Sequence, residues 1–133
     1  MIIDKTLLEG LHKQARENER LRMNKDLRTS SDDASQRMLN ALQSGTKVPI
    51  HRHRETSETI ICLQGCMDVV IYEVQNAVAV ECNRLRLCPA DGKYGAQLPV
   101  GTWHSVEVYE PSTIFEAKDG AFAPASDEDV LSI

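Results

Sequence analysis

Two histidines one residue apart, His51 and His53, with Glu58 shortly after them, constrain this chain more than any other feature. They lie in residues 45–65, GTKVPIHRHRETSETIICLQG. On an extended strand, side chains two apart point to the same side of the sheet. His51 and His53 therefore project together, and Arg52 and Arg54 take the opposite face. If the arginines meet water, the histidines face inward. Two buried imidazoles beside a buried carboxylate need compensation, which a cation supplies. A pair of imidazoles on one face is half of a transition-metal site. A second stretch, PVGTWH at 99–104, offers a third imidazole, His104, from a distant strand. The pattern predicts a small metal-binding β-barrel.

With 133 residues the chain has the length of one domain with a real core. Its formal charge of −5, from 15 basic and 20 acidic residues, argues against a nucleic-acid partner, which would favour a concentrated basic face. The basic cluster from Arg16 to Arg28 is diluted by Glu17, Glu19 and Asp26, and reads as a solvated face. No run of about 18 apolar residues predicts a membrane span. The start, MIIDKTLLEG, lacks the apolar region of a secretion signal, so a cytoplasmic protein is expected. Cys62, Cys66, Cys82 and Cys88 are then expected as free thiols. Their spacings are not the paired C-x2-C knuckles of zinc sites.

Asp4 is a plausible N-cap for a helix over 4–22, with Leu7, Leu8, Leu11 and Ala15 as its apolar stripe. His12 on that helix reads as a surface residue. A second helix is expected over 32–43, with Gly45 just beyond its end. From Lys47 the texture changes to short runs rich in Val, Ile, Thr and Tyr between turn residues. Strands are expected at 47–53, 58–64, 66–74, 78–88, 94–98, 103–109 and 113–118. Gly65 would let the backbone bend between two of them, and Gln75-Asn76 reads as a turn. Trp103 should point away from His104 and pack between sheet and helix. Helix followed by strands gives a mainly β, α+β chain. Its expected organisation is a helical extension over 1–44 packed on a barrel over 45–118, then an acidic tail over 119–133.

These motifs resemble those of the cupins. The first cupin motif, G-x5-H-x-H-x(3,4)-E-x6-G, is matched in full by Gly45, His51, His53, Glu58 and Gly65. The second, G-x5-P-x-G-x2-H-x3-N, is matched by Pro99, Gly101 and His104; Lys93 stands where its leading glycine would be, and Val108 replaces its closing asparagine. The chain is similar in particular to the WbuC-type cupin fold metalloproteins, a bacterial family associated with surface-polysaccharide gene clusters. Arg20-Leu21-Arg22-Met23-Asn24, Gln36-Arg37-Met38-Leu39-Asn40-Ala41-Leu42 and Phe115-Glu116-Ala117-Lys118 carry that likeness, in family order and across nearly the whole chain. The resemblance implies a double-stranded β-helix, or jelly-roll barrel, with an N-terminal helical addition. It implies His51, His53, Glu58 and His104 as ligands of a divalent metal, and a homodimer as the default assembly.

Three imidazoles and one carboxylate suit zinc, iron, manganese or nickel, and the donor types do not choose among them. Glu58 could instead serve as a general base, with three histidines holding the ion. Glu116 and Lys118 share one strand face, where they could handle a substrate proton or an anionic group. Arg20, Arg22 and Asn24 could reach across the barrel mouth to an acidic ligand. One expectation is a metal-dependent isomerase or oxygenase acting on a small sugar or sugar phosphate, by analogy with the family. The alternative is a non-catalytic small-molecule-binding or regulatory barrel with a structural metal.

Overall fold

A computed structural model describes residues 1–131. Asp4 caps the only α-helix among them, α1 (Lys5–Glu17), accepting from the Leu7 amide at 2.9 Å. The helix stops at Asn18, whose backbone is extended, and not at residue 22. A tight turn through Leu21, which takes a φ of 57°, then sends the chain into β1 (Arg22–Asp26). Leu8, Leu11 and Ala15 of α1 pack on Leu39 and Ala41 of β2 (Ser35–Leu42). The apolar stripe of the helix is thus covered by its own sheet.

The second expected helix, 32–43, is strand β2. It pairs with β1 on one side and with the long strand β7 (Trp103–Asp119) on the other. The error has a physical source. Leu39 and Ala41 face α1 while Leu42, on the other side, faces the barrel core. A strand buried on both faces carries an apolar run without clean alternation, and such a run also fits helical spacing. His12 is likewise not on the surface. It is 5% exposed, with Nε2 2.7 Å from Thr113 Oγ1 and Nδ1 2.8 Å from Gln43 Nε2. Satisfied hydrogen bonds let a polar ring join the helix–sheet layer.

Together with β1 and β2, the rest of the chain builds one eight-stranded antiparallel sheet that folds over on itself. β3 (Ile50–His51) pairs with β7 and with β8 (Val130–Leu131). β4 (Glu58–Gln75) pairs with β5 (Val78–Leu87), β6 (Gly95–Leu98) and β7. β4 and β7 each run through what the pattern divides into two strands. Their ladder shifts register three times between Cys62 and Met67, opposite Val108 to Ile114. Gly65 sits in this bend at φ 99°, and a Cβ there would lie 2.6 Å from the Pro111 carbonyl oxygen and from Ser112 Cα. Leu42, Ile60, Met67, Val69, Leu98 and Ile114 fill the interior beside it.

The bend positions the site. Along β4, Glu58 pairs with Lys118 and Ile71 pairs with His104. A straight strand from residue 58 to 71 would span about 43 Å. Yet Glu58 Oε1 and His104 Nε2 lie 3.4 Å apart. The folded ribbon brings both of its ends to one mouth, leaving the apolar plug below. No helix among the described residues is long and apolar enough to cross a membrane.

Two substitutions test this backbone with opposite signs. Gly65→Ala should lower stability by about 2–4 kcal/mol, through steric overlap in a left-handed conformation. Ala77 holds φ 62° after Asn76 at 52° in the β4–β5 hairpin, a type I′ turn that favours glycine second. Ala77→Gly should therefore raise the denaturant midpoint, by up to about 1 kcal/mol in stability.

Candidate metal centre

His51, His53 and His104 converge at the mouth, each offering one ring nitrogen within 4.8 Å of the others. Their ring centroids are 5.1, 4.3 and 5.6 Å apart. The expected strand over 47–53 is only Ile50–His51, and His53 lies just past its end in irregular chain, yet both rings turn to the same side. Arg52 and Arg54 point away, to Asp129 and Glu128 near the C-terminus. His51 and His104 are a cross-strand pair of β3 and β7. Trp103 does turn away from the site, but it does not reach the helix. It stacks under the Arg52 guanidinium, 4.7 Å from ring centroid to Cζ.

Backbone carbonyls set the ring orientation. His51 Nδ1 donates to Pro49 O at 2.8 Å, and His104 Nδ1 donates to Thr102 O at 2.9 Å. A carbonyl oxygen only accepts, so each Nδ1 carries a proton and each neutral ring keeps its Nε2 lone pair free. This is the orienting contact that metal-binding histidines need from their surroundings.

Glu58 is 2% exposed and stands against two of the rings. Its Oε2 is 2.9 Å from His53 Nε2 and 3.2 Å from Lys118 Nζ, and its Oε1 is 3.4 Å from His104 Nε2. His53 Nε2 is close to the carboxylate but outside hydrogen-bond geometry, so this buried nitrogen has no hydrogen-bond partner. Lone pairs on Glu58 and on the free Nε2 atoms point into one small volume. A positive charge between them, a proton or an ion, relieves that repulsion. The donor set and the unpartnered His53 nitrogen thus fit a divalent transition ion bound by His51, His53 and His104, with Glu58 at hand as a fourth ligand.

Titration follows from the same crowding. Burial, then the neighbouring His104, pulls His51 down to about 4. Burial pushes the Glu58 carboxyl up, but His104, His53 and Lys118 outweigh it and hold the group well below the usual carboxylate range. Burial lowers His104, and contact with Glu58 more than restores it, so its net shift is upward. Glu116, next in line on β7, is pushed up to about 7 by burial and by the Glu58 charge.

The remaining candidates divide. Lys118 lies at the mouth on Glu58, and Glu116 follows it inward on the same strand face, opposite Met38 of β2. Arg22 is remote. It pairs across the sheet with Leu42 toward the closed end, and its Nη1 donates to Lys47 O at 2.9 Å. Neither Arg20 nor Arg22 lines the cavity above His53. Asn24 lines a smaller adjoining cavity with Gln36 and Met38. Sequence reasoning missed Asn40, whose side chain reaches Glu116 and whose Oδ1 is buried without a partner. An asparagine alternating with Met38 and Leu42 on an inward strand face is the signal for it, visible only once residues 35–42 are read as a strand. In metal-free protein, ring-nitrogen NMR should find His51 neutral and protonated on Nδ1 at pH 5.5, titrating near pH 4. An ordinary midpoint near 6.5 would contradict the crowded geometry.

The family described as "Domain of unknown function (DUF6016)" matches residues 3–83. No curated protein matches the sequence. Several solved structures share the fold. The capsular polysaccharide assembling protein CapF from Staphylococcus aureus aligns with a TM-score of 0.63 at 17% identity, over 87% of this chain and 33% of that one. KdgF from Halomonas sp. aligns with a TM-score of 0.56 at 19% identity, over 80% of this chain and 82% of its own. The cupin domain of Schizosaccharomyces pombe Cnp3 aligns with a TM-score of 0.57 at 13% identity, over 74% and 61%. The chain spans about a third of the length of CapF. These likenesses establish the cupin fold, and the match over more than half of its length makes this chain a member of the DUF6016 family.

Proposed function

We propose that this protein is a metal-binding cupin of the WbuC type, acting on a small sugar or sugar-phosphate-like molecule in bacterial surface-polysaccharide metabolism in the cytoplasm. One observation carries the reading. Three imidazoles from two distant segments meet at a buried carboxylate, with a ring nitrogen left unpartnered among them. His51, His53 and His104 with Glu58 would hold the ion. When bound, it would supply Lewis-acid polarisation of a carbonyl or hydroxyl oxygen.

The chain's own groups suit such a ligand. A cavity of about 610 Å³ opens above His53, in the range of small-molecule sites. Lys118 at its edge would meet an anionic group. Glu116, pushed up to about 7, would hold or release a proton near neutral pH, which general acid–base work requires. The structural likeness to CapF, a capsular polysaccharide assembling protein, lends support, as does the sequence likeness to the WbuC type. A homodimer belongs to the same reading and rests on the cupin resemblance alone.

Elemental analysis of purified protein, with His51→Ala and His104→Ala beside it, tests the metal. About one equivalent of a transition ion is expected in the native protein and under about 0.1 in each variant. Native protein that carries no such ion and takes none up would end the reading. A turnover screen on keto-sugars and sugar phosphates, metal-loaded against chelated, then separates enzyme from binding module. Consumption only when loaded supports the enzyme.

A further inference from the structure

The C-terminal segment is held to the barrel at both ends. At its start, Gly120 N donates to Ala34 O at 2.7 Å and Gln36 Nε2 donates to Gly120 O at 3.0 Å. At its end, β8 pairs with β3, and Arg52 N donates to Asp129 O at 3.0 Å. The span between is not paired into the sheet: residues 121–126 have no regular structure, and a short 3₁₀ turn, Asp127–Asp129, follows. That span arches over the mouth. Phe122, Pro124 and Ser126 line the cavity together with His53, Arg54 and Lys118.

The far end of the arch depends on one carboxylate. Asp129 Oδ1 accepts from Arg52 Nε at 2.8 Å, Arg54 Nε at 3.1 Å and Arg54 Nη2 at 2.9 Å. Its Oδ2 accepts from Ser126 Oγ at 3.0 Å. The Asp129 side chain is 14% exposed, so these charge-assisted bonds are more shielded than an ordinary surface pair. Glu128, 77% exposed, reaches Arg54 by a single contact. The two arginines are those that alternate with His51 and His53. One tetrapeptide thus faces the mouth with its histidines and clasps the arch with its arginines.

We infer that residues 120–129 are the outer wall of the ligand chamber, and that Asp129 is a positioning residue that fastens this wall through Arg52 and Arg54. The wall sets the size of what enters. The chamber of about 610 Å³ takes a mono- or disaccharide-sized molecule, and its lining balances Arg52, Arg54 and Lys118 against Glu55, Asp119 and Asp129, which suits a polar ligand. This deepens the functional reading, since it takes the cavity above His53 as the ligand site, but its test requires no bound metal.

The test is the rate at which diethyl pyrocarbonate labels each histidine of full-length, metal-free protein, read by peptide mass spectrometry. His53, with a side chain 25% exposed, lies beneath the wall, and buried His12 reports whether the barrel is folded. Asp129→Asn should raise His53 labelling at least about fivefold and leave His12 unchanged, because charge-assisted bonds are stronger than the neutral ones that replace them. Asp129→Glu should restore most of the protection, and Glu128→Gln should stay within about twofold of the parent. Equal His53 labelling in parent and Asp129→Asn would overturn the inference, even if the ion binds as proposed. If His12 labelling also rises in Asp129→Asn, Ser126→Ala decides. This variant removes one bond to Asp129 and should raise His53 labelling alone; no rise refutes the wall.

Discussion

A carboxylate taken out of water must have positive charge beside it, and Glu58 is such a group at the mouth of this barrel. Lys118 supplies part of that charge at 3.2 Å. The rest must come from what the imidazoles hold, a proton or a metal ion. With Nδ1 of His51 and His104 committed to backbone carbonyls, their Nε2 atoms are left to face Glu58 and each other. Much of the mouth follows from this need. The donors are oriented by main-chain contacts, and the second carboxylate, Glu116, is pushed toward neutrality by the first.

The ribbon of β4 and β7 meets the requirement by bending. Gly65 allows two backbones to approach at the closed end, and the open end then gathers residues from both strand termini. Apolar side chains fill the volume between, so the polar groups stay at the rim, where a ligand can reach them. Helix α1 adds a second apolar layer behind β2 and has no part in the site. The C-terminal segment comes back across the mouth, tied to β3, the strand that carries His51.

How much of this was legible in the sequence depended on range. His51 and His104 could be placed because strand alternation is a two-residue rule, and His53 turns to the same side although it lies just past the end of β3. The barrel as a class was readable from strand-rich texture and motif spacing. Strand β2 was hidden because its two faces are buried against different layers. His12 was hidden because its partners, Gln43 and Thr113, are far away in the chain. β4 and β7 looked like two strands each because the bend, at Gly65 in one and at Pro111 in the other, resembles a break. The clasp of Arg52 and Arg54 on Asp129 joins positions some 75 residues apart and leaves no local pattern.

The central claim is that one ion sits among these side chains, and X-ray absorption at its K-edge tests that most directly. The account predicts a first shell of nitrogen and oxygen at about 2.0–2.2 Å, with imidazole scattering from three rings and no sulfur. His104→Ala should remove one ring from that signal. A shell dominated by sulfur, or an ion whose imidazole count is unchanged in His104→Ala, would contradict it.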